Sequence, residues 1–403
     1  MRGRPAAPLS RSLLAVLRPV REAARGERIA VVGGAVRDRL LELRAAPRDV
    51  DVVVQGDAVA LARRAAKAGS LDVHVHERFE TANLAAPGGW SIDLARARKE
   101  IYRRPGALPE VAPATLEEDL SRRDFSINAI AVELDGGGGA GRRHDPFGGA
   151  GDLERRLLRV LHARSFEDDP TRILRAVRYA ARLDLRFEKW TRGWLGAAVA
   201  GGALETISGD RLRRELERTL SETRFPEAVR LFDVLGVADA LHPGWRATPA
   251  VLAALSRAER LSRARPRETT WLLPLLVWAG ELPESTCGDL ARRLAVASPA
   301  RRALERWAST RDGIAPSTPL SADERFAVAA LLPATREGRR RKGRLLAPVA
   351  LSIRGADLLR AGISPGPRVG RALAETRAAL GNGRIAPAEE LAFALDAARR
   401  GGN

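Results

Sequence analysis

Asp49 and Asp51 stand two residues apart in the run RDVDVVV. Side chains alternate along a strand, so both carboxylates project from one face while Val50 and Val52 project from the other. Carboxylates held side by side repel each other unless a cation lies between them. A hard divalent ion with oxygen ligands, most naturally Mg²⁺, answers that repulsion. The alternative is a pair of solvated aspartates on an edge strand. Upstream, RIAVVGGAVRD (Arg28–Asp38) reads as an apolar strand, a Gly33-Gly34 turn and a helix beginning near Ala35. Glycines let a backbone bend tightly and approach a ligand closely. The first N–H groups of a helix favour an anion, and Arg37 lies within reach of a phosphate. A turn of this kind, followed closely by two carboxylates on one face, describes a site for a triphosphate and a metal.

Two further clusters carry chemistry. Arg122, Arg123 and Asp124 precede an apolar run in LEEDLSRRDFSINAIAV. The cations suit a triphosphate and the carboxylate suits ribose hydroxyls; the alternative is a salt-bridged strand start. In SFEDDPTRILRAVRYAARLDLRFE, Asp168 and Asp169 precede Pro170, which sits well in the first turn of a helix. Arg172, Arg175 and Arg178 then recur every three residues as a stripe on one face, opposite Ile173, Leu174, Val177 and Ala181. Three arginines on a stripe face anions or acidic side chains, or they form a solvated basic surface. Asp93, in SIDLA, shares a face with Ser91 and is the candidate for a third metal carboxylate; the alternative is a structural acid.

These residues need a scaffold. The runs IAVV, DVDVVV, LDVHVH, SIDLA and INAIAVEL read as strands mixed with helical segments between Arg28 and about Leu134, predicting an α+β domain with a mixed sheet. Residues 135–141 form a glycine-rich hairpin or loop before HDPFGG. After about residue 150 strand signals nearly vanish, and Leu-, Ala- and Arg-rich helical periodicity continues to the end. The organisation predicted is a basic extension over 1–27 with one short helix, a catalytic head over 28–150, and an all-α remainder in three sections: a neck at 151–220, a body at 221–335 and a tail at 336–403. Arg339-Arg340-Arg341-Lys342 marks the last boundary as a solvated linker or an RNA contact.

The 403 residues carry 68 Lys and Arg against 50 Asp and Glu, a net charge of +18. The sequence pI near 11.3 favours a polyanionic partner, nucleic acid foremost. Cys287 is the single cysteine, which excludes a disulfide framework and a cysteine metal site. The histidines show no paired ligand spacing. The apolar run from Leu13 to Leu17 is broken by Arg18, too short for a signal peptide or membrane span, so a cytoplasmic protein without membrane association is expected. Oligomeric state is not legible.

GGAVRD (Gly33–Asp38), DVD (Asp49–Asp51), RRDFSINA (Arg122–Ala129), DPFGG (Asp145–Gly149) and the DDPTR helix occur in that order. The series resembles the class II tRNA nucleotidyltransferase and bacterial poly(A) polymerase family, within the DNA polymerase β nucleotidyltransferase superfamily. SGDRLRREL (Ser208–Leu216) and RGADLLRAGISPGPRVGRAL (Arg354–Leu373) resemble later segments of the family. The resemblance implies that Asp49 and Asp51 hold catalytic Mg²⁺, and that Gly33, Gly34 and Arg37 bind the triphosphate of CTP or ATP. Arg122, Arg123 and Asp124 would contact phosphate and ribose. Asp169 and Arg172 would read the base edge, with Arg175 and Arg178 in support. The tail would grip the acceptor stem and T arm of tRNA.

The implied reaction is attack of a tRNA 3′-hydroxyl on the α-phosphate of CTP or ATP, with release of pyrophosphate. ARKEIYRRPGALPEV (Ala97–Val111) stands where full CCA-adding members carry a flexible charged loop, and its Pro-Gly pattern more closely resembles members that add only A or only CC. The alternatives are a partial-function CC- or A-adding enzyme, a poly(A) polymerase, and a non-catalytic RNA-binding protein. The last would tolerate loss of Asp49 or Asp51, yet both are present. No HD-type phosphohydrolase domain is evident, because His144-Asp145 belongs to the HDPFGG turn.

Overall fold

The apolar runs build one sheet, and its register decides where the carboxylates go. The computed structural model describes residues 9–43, 48–134, 140–307, 320–332, 335–338, 350–381 and 385–400. The chain divides into two compact units, Met1–Thr206 and Ile207–Asn403. The first contains strands β1 (Arg28–Val32), β2 (Asp49–Gln55), β3 (Asp72–His76), β4 (Thr81–Ala86), β5 (Trp90–Arg96), β6 (Arg98–Ile101), β7 (Glu110–Pro113), β8 (Ala131–Leu134) and β9 (Ala140–His144). Seven of them form a mixed sheet in the order β3-β4-β5-β2-β1-β8-β9, while β6 and β7 pair separately. Within the seven, β2 and β5 run parallel and every other pair is antiparallel.

The helices of this unit are α1 (Arg11–Val16), α2 (Arg18–Ala23), α3 (Gly34–Leu40), α4 (Ala58–Gly69), α5 (Leu116–Ser121), α6 (Gly149–Glu154), α7 (Ser165–Asp168), α8 (Thr171–Leu183) and α9 (Lys189–Ala200). Asp57 caps α4 by accepting from the Ala60 N–H, and Leu61, Ala62 and Ala65 turn its buried face to the sheet. The N-terminal extension holds two short helices rather than one. They bury Leu13, Leu17 and Val20, and α2 packs on α4.

Three departures from the sequence expectation concern strands. In INAIAVEL the strand begins only at Ala131, because residues Ser126–Asn128 make a 3₁₀ turn. TANLAA forms β4, although its small residues lack the β-branched enrichment that marks a strand. AGRRH forms β9, which pairs antiparallel with β8; the glycine-rich residues 135–139 between them lie outside the described residues.

The second unit is all-α among its described residues, so the chain is α+β with a mixed-sheet head and a helical remainder. Trp245 and Trp278 stack at 3.8 Å between ring centroids, and Phe232 stacks on Trp278 at 5.5 Å. The last helices, Gly355–Arg360, Pro367–Gly381 and Glu390–Arg400, share an apolar cluster of Leu358, Ala372 and Ala394. The basic run Arg339 to Lys342 lies outside the described residues.

The DPFGG motif serves the turn that precedes β8. Asp145 accepts from the N–H groups of Gly149 (2.6 Å) and Ala150 (3.0 Å), fixing the start of α6. Ser126 donates to Asp152 in that helix at 2.6 Å. A Cβ on Gly149 would fall 2.0 Å from the Ser126 carbonyl oxygen, so only glycine permits this approach. Gly149→Ala should therefore destabilise the protein by more than about 2 kcal/mol, measured by denaturant unfolding. Gly193→Ala is the matched control. Gly193 sits in α9 with nothing near its missing Cβ, and alanine there should stabilise by up to ~1 kcal/mol.

Candidate active site

The alternation expected of DVDVVV holds: Asp49 and Asp51 are exposed, while Val50 and Val52 are buried. Asp51 lies in register with Val32, the last residue of β1, and on its other side with Asp93 of β5. Asp49 is in register with Ser91. Parallel pairing thus brings Asp93 beside Asp51. Asn83 of β4 donates to Asp93 (2.8 Å) and to Ser91 (2.6 Å), which anchors the third carboxylate.

Gly33 follows β1 with φ +67°, a left-handed conformation that favours glycine. A Cβ there would stand 3.2 Å from Arg123 Nη1 and 3.7 Å from Asp51 Oδ2. The glycine turn therefore lets a cation and a carboxylate close on the same backbone. Asp51 opens to the cleft, but the protein crowded around its carboxyl partly desolvates it and pushes it above the ordinary carboxylate range. Arg123 opposes that shift, and the charges of Asp93 and Asp49 add to it.

These groups open on a cleft of about 460 Å³, within the range of ligand sites (~300–1,000 Å³). Gly33, Gly34, Arg37, Asp51, Asp93, Arg122, Arg123, Asp124, Asp169, Arg172 and Arg175 all line it. Motifs spread over more than a hundred residues thus converge on one cavity. Two of the expected residues stand outside the lining. Asp49 is at the exposed first residue of β2, and Arg178 is buried with its guanidinium over the Tyr179 ring.

The arginines do not wave in solvent. Arg37 is buried, donating through Nε to Asp38 (2.7 Å) and through Nη1 to the Asn128 amide oxygen (2.7 Å). Arg122 donates to Asp119 (2.9 Å) and Glu100 (2.8 Å), and Arg123 donates to Asp119 (2.9 Å). Burial penalises the Asp119 carboxylate, but Arg123 and Arg122 outweigh it and hold its pKa below the ordinary value. Arg172 donates to Ser165 Oγ (2.7 Å) and to the Arg122 carbonyl (2.9 Å), and Asp169 accepts from the Thr171 amide and hydroxyl. Helix α8 is buried along nearly its whole length, which rules out the solvated-stripe reading of its arginines.

Asp124, expected to suit ribose hydroxyls or to join a salt-bridged strand start, is fully paired. One oxygen accepts from the Phe125 N–H (2.8 Å) and the Asn128 amide (2.9 Å), and the other from Arg175 Nε (2.9 Å). The sequence reading also passed over Glu100, Tyr102, Asp119, Asn128, Tyr179 and Arg182. Of these Glu100, Tyr102, Asn128, Tyr179 and Arg182 line the cleft. Asn128 stands inside the RRDFSINA motif, and that placement was the available signal.

The Poly A polymerase head domain family matches residues 29–159. A CC-adding tRNA nucleotidyltransferase of Deinococcus radiodurans is 37% identical over 369 residues, covering 92% of this chain and 89% of that relative. The chain belongs to the tRNA nucleotidyltransferase and poly(A) polymerase family. An A-adding tRNA nucleotidyltransferase of Geobacter sulfurreducens is 36% identical over 279 residues, 68% of this chain; the chain spans only 31% of that relative's length. The fold is also that of the Thermotoga maritima CCA-adding enzyme complexed with tRNA-CCA, with a TM-score of 0.66, 28% identity, and coverage of 98% of this chain and 96% of that one.

The donor set fits a hard divalent cation: carboxylate oxygens on one face, with Asp51 pushed up by burial and by its acidic neighbours. Among the described residues no three His, Cys, Asp or Glu side chains converge closely enough to hold a metal by themselves. Mg²⁺ in general takes one or two carboxylates and fills its remaining positions with water and substrate phosphate.

Burial penalises the Asp124 charge, yet Arg175 and Asn128 outweigh it and hold the carboxyl down to about 2. A depressed folded pKa contributes stability that is complete above the unfolded value of 3.8 and is lost as pH falls through the folded one. Between about pH 4 and pH 2 the wild type should lose on the order of 2 kcal/mol that Asp124→Asn does not lose. Unfolding free energies of the two proteins, compared across that range, check the difference.

Proposed function

We propose that the protein is a template-independent tRNA nucleotidyltransferase of the cytoplasm, adding C and/or A from CTP and ATP to the tRNA 3′ end with release of pyrophosphate. The observation that carries this reading is the cleft in which Asp51 of β2, Asp93 of β5, the Gly33 turn and the paired arginines meet. It is joined by the near full-length match to a CC-adding relative.

In this reading Asp49 and Asp51 hold Mg²⁺, with Asp93 the third candidate. Such an ion, when bound, lowers the pKa of the attacking hydroxyl and neutralises charge on the leaving pyrophosphate. Arg37, Arg122 and Arg123 orient the triphosphate against that floor. Their pairing to Asp38, Glu100 and Asp119 fixes them in advance, so little rearrangement accompanies the reaction. Arg172, set by Ser165 and the Arg122 carbonyl, presents its remaining donors with Asp169 toward a base edge. Asp124 acts on the sugar side through Arg175 and Asn128. The helical remainder, above all residues 336–403, carries the acceptor stem and T arm of tRNA.

One observation favours a partial product, CC or A alone. Residues of the segment 97–113 form the β6–β7 pair, and the Gly106 N–H donates to the Glu167 carbonyl at 3.1 Å. Gly106 has φ +70°, and a Cβ on it would lie 2.1 Å from Thr206 Oγ1. A segment seated this closely is not the free charged loop that members adding all three nucleotides carry.

Primer extension tests both readings. Three tRNA transcripts, ending at the discriminator base, at -C and at -CC, are each given CTP, ATP or both with Mg²⁺. Extension of all three to -CCA marks a complete enzyme. A halt after CC, or ATP addition to the -CC transcript alone, marks a partial one. Long A tails on any RNA would assign a poly(A) polymerase, and no incorporation would end the catalytic reading. Asp51→Ala should lower incorporation more than about a hundredfold while tRNA binding persists.

A further inference from the structure

Tyr179 is a buried aromatic on the cleft wall, and three guanidinium groups surround its ring. The Cζ atoms of Arg178, Arg37 and Arg175 lie 4.9, 5.2 and 5.6 Å from the ring centroid. Phe125 meets the ring edge-on at 5.7 Å and 80°, which fixes its plane. The arginines come from two elements: Arg37 from α3, and Arg175 and Arg178 from α8.

A chain of polar contacts runs beside the ring. Arg175 donates to Asp124, the Asn128 amide donates to Asp124, and Arg37 donates to the Asn128 amide oxygen and to Asp38. Arg182 approaches Asp38 at 3.7 Å. The carboxylates draw the cations together through their N–H groups. An aromatic face draws a cation without using an N–H donor at all. That distinction matters in a cleft whose ligand must itself be bound by those donors.

We propose that Tyr179 is a positioning residue, whose ring gathers Arg37, Arg175 and Arg178 into a cage for the phosphates of the incoming nucleotide. Arg37 and Arg175 front the cleft, and Arg178 backs the ring. The inference rests on the nucleotidyltransferase reading for the identity of the ligand, and on the ring geometry for the cage. Because the cage meets phosphate and no base, it should act on CTP and ATP equally.

Tyr179→Leu is the obvious variant, but its changed shape would confound packing with charge. A series of mono-, di- and trifluorophenylalanine at position 179, read against Tyr179→Phe, keeps the shape and progressively removes the negative ring face. Calorimetry with inorganic tripolyphosphate should show affinity falling stepwise, about tenfold across the series. KM for CTP and for ATP should rise by the same factor, with melting temperatures unchanged along the series. A flat affinity series, or a wild type that does not bind tripolyphosphate, overturns the cage. A graded series in a protein that extends no tRNA would keep the cage and remove the tRNA reading. Normal extension with a flat series would do the reverse.

Discussion

A cleft that receives a triphosphate must hold several guanidinium groups close together before the ligand arrives, and like charges at that spacing repel. The head resolves this by giving its arginines acidic partners drawn from other parts of the fold. Asp119 serves Arg122 and Arg123, Asp124 serves Arg175, and Asp38 serves Arg37 and Arg182. Ion pairs in a partly buried site carry a desolvation cost that Coulomb attraction alone does not always offset. Here the carboxylates also accept from neutral donors, Asp124 from a backbone N–H and an amide. The result is a positive wall whose geometry is set by folding.

The opposite wall carries the complementary tension. Strand register places Asp51 beside Asp93, and the burial that strengthens electrostatics on the floor also penalises the charge there. The two walls meet at Gly33, where the missing Cβ leaves room for Arg123 and Asp51 on the same turn. A Cβ there would crowd the Arg123 guanidinium, 3.2 Å away, beside Asp51. Support comes from the far side as well, since α6 holds the Ser126–Asn128 turn through Gly149 and Asp152, and that turn presents Asn128 to Arg37.

Local rules made part of this legible. Period-two alternation put Asp49 and Asp51 on one face, and the order of motifs named the family and the mixed-sheet head. What escaped was pairing between distant positions. Asp124 and Arg175 are separated by 51 residues, and Arg37 and Asn128 by 91. No spacing rule reports such contacts, so sequence alone leaves Asp124 between a ribose contact and a salt bridge, and the α8 arginines between facing anions or acids and a solvated surface. Strand β4 escaped for a different reason: small residues pack well between two neighbours without looking like a strand. Tyr179 went unremarked, because the cations around its ring are supplied by two elements.

Pre-pairing also bears on selectivity. An arginine that swings freely can satisfy many acceptors, and so discriminates poorly between base edges. Arg172 is 4% exposed, with Nη1 on Ser165 and Nη2 on the Arg122 carbonyl. Its planar fork has five donors in a rigid arrangement, so fixing two of them fixes the directions of the rest. Under the proposed role of Arg172, a base edge must match an orientation set by the protein, and a mismatched one leaves buried donors unsatisfied, which costs far more than a missing contact in water. The same contact ties Arg172 to the backbone of Arg122, whose side chain is bound to Glu100 and Asp119. In the proposed reading, triphosphate and base recognition therefore share one framework, and a change at Glu100 or Asp119 would be felt at both.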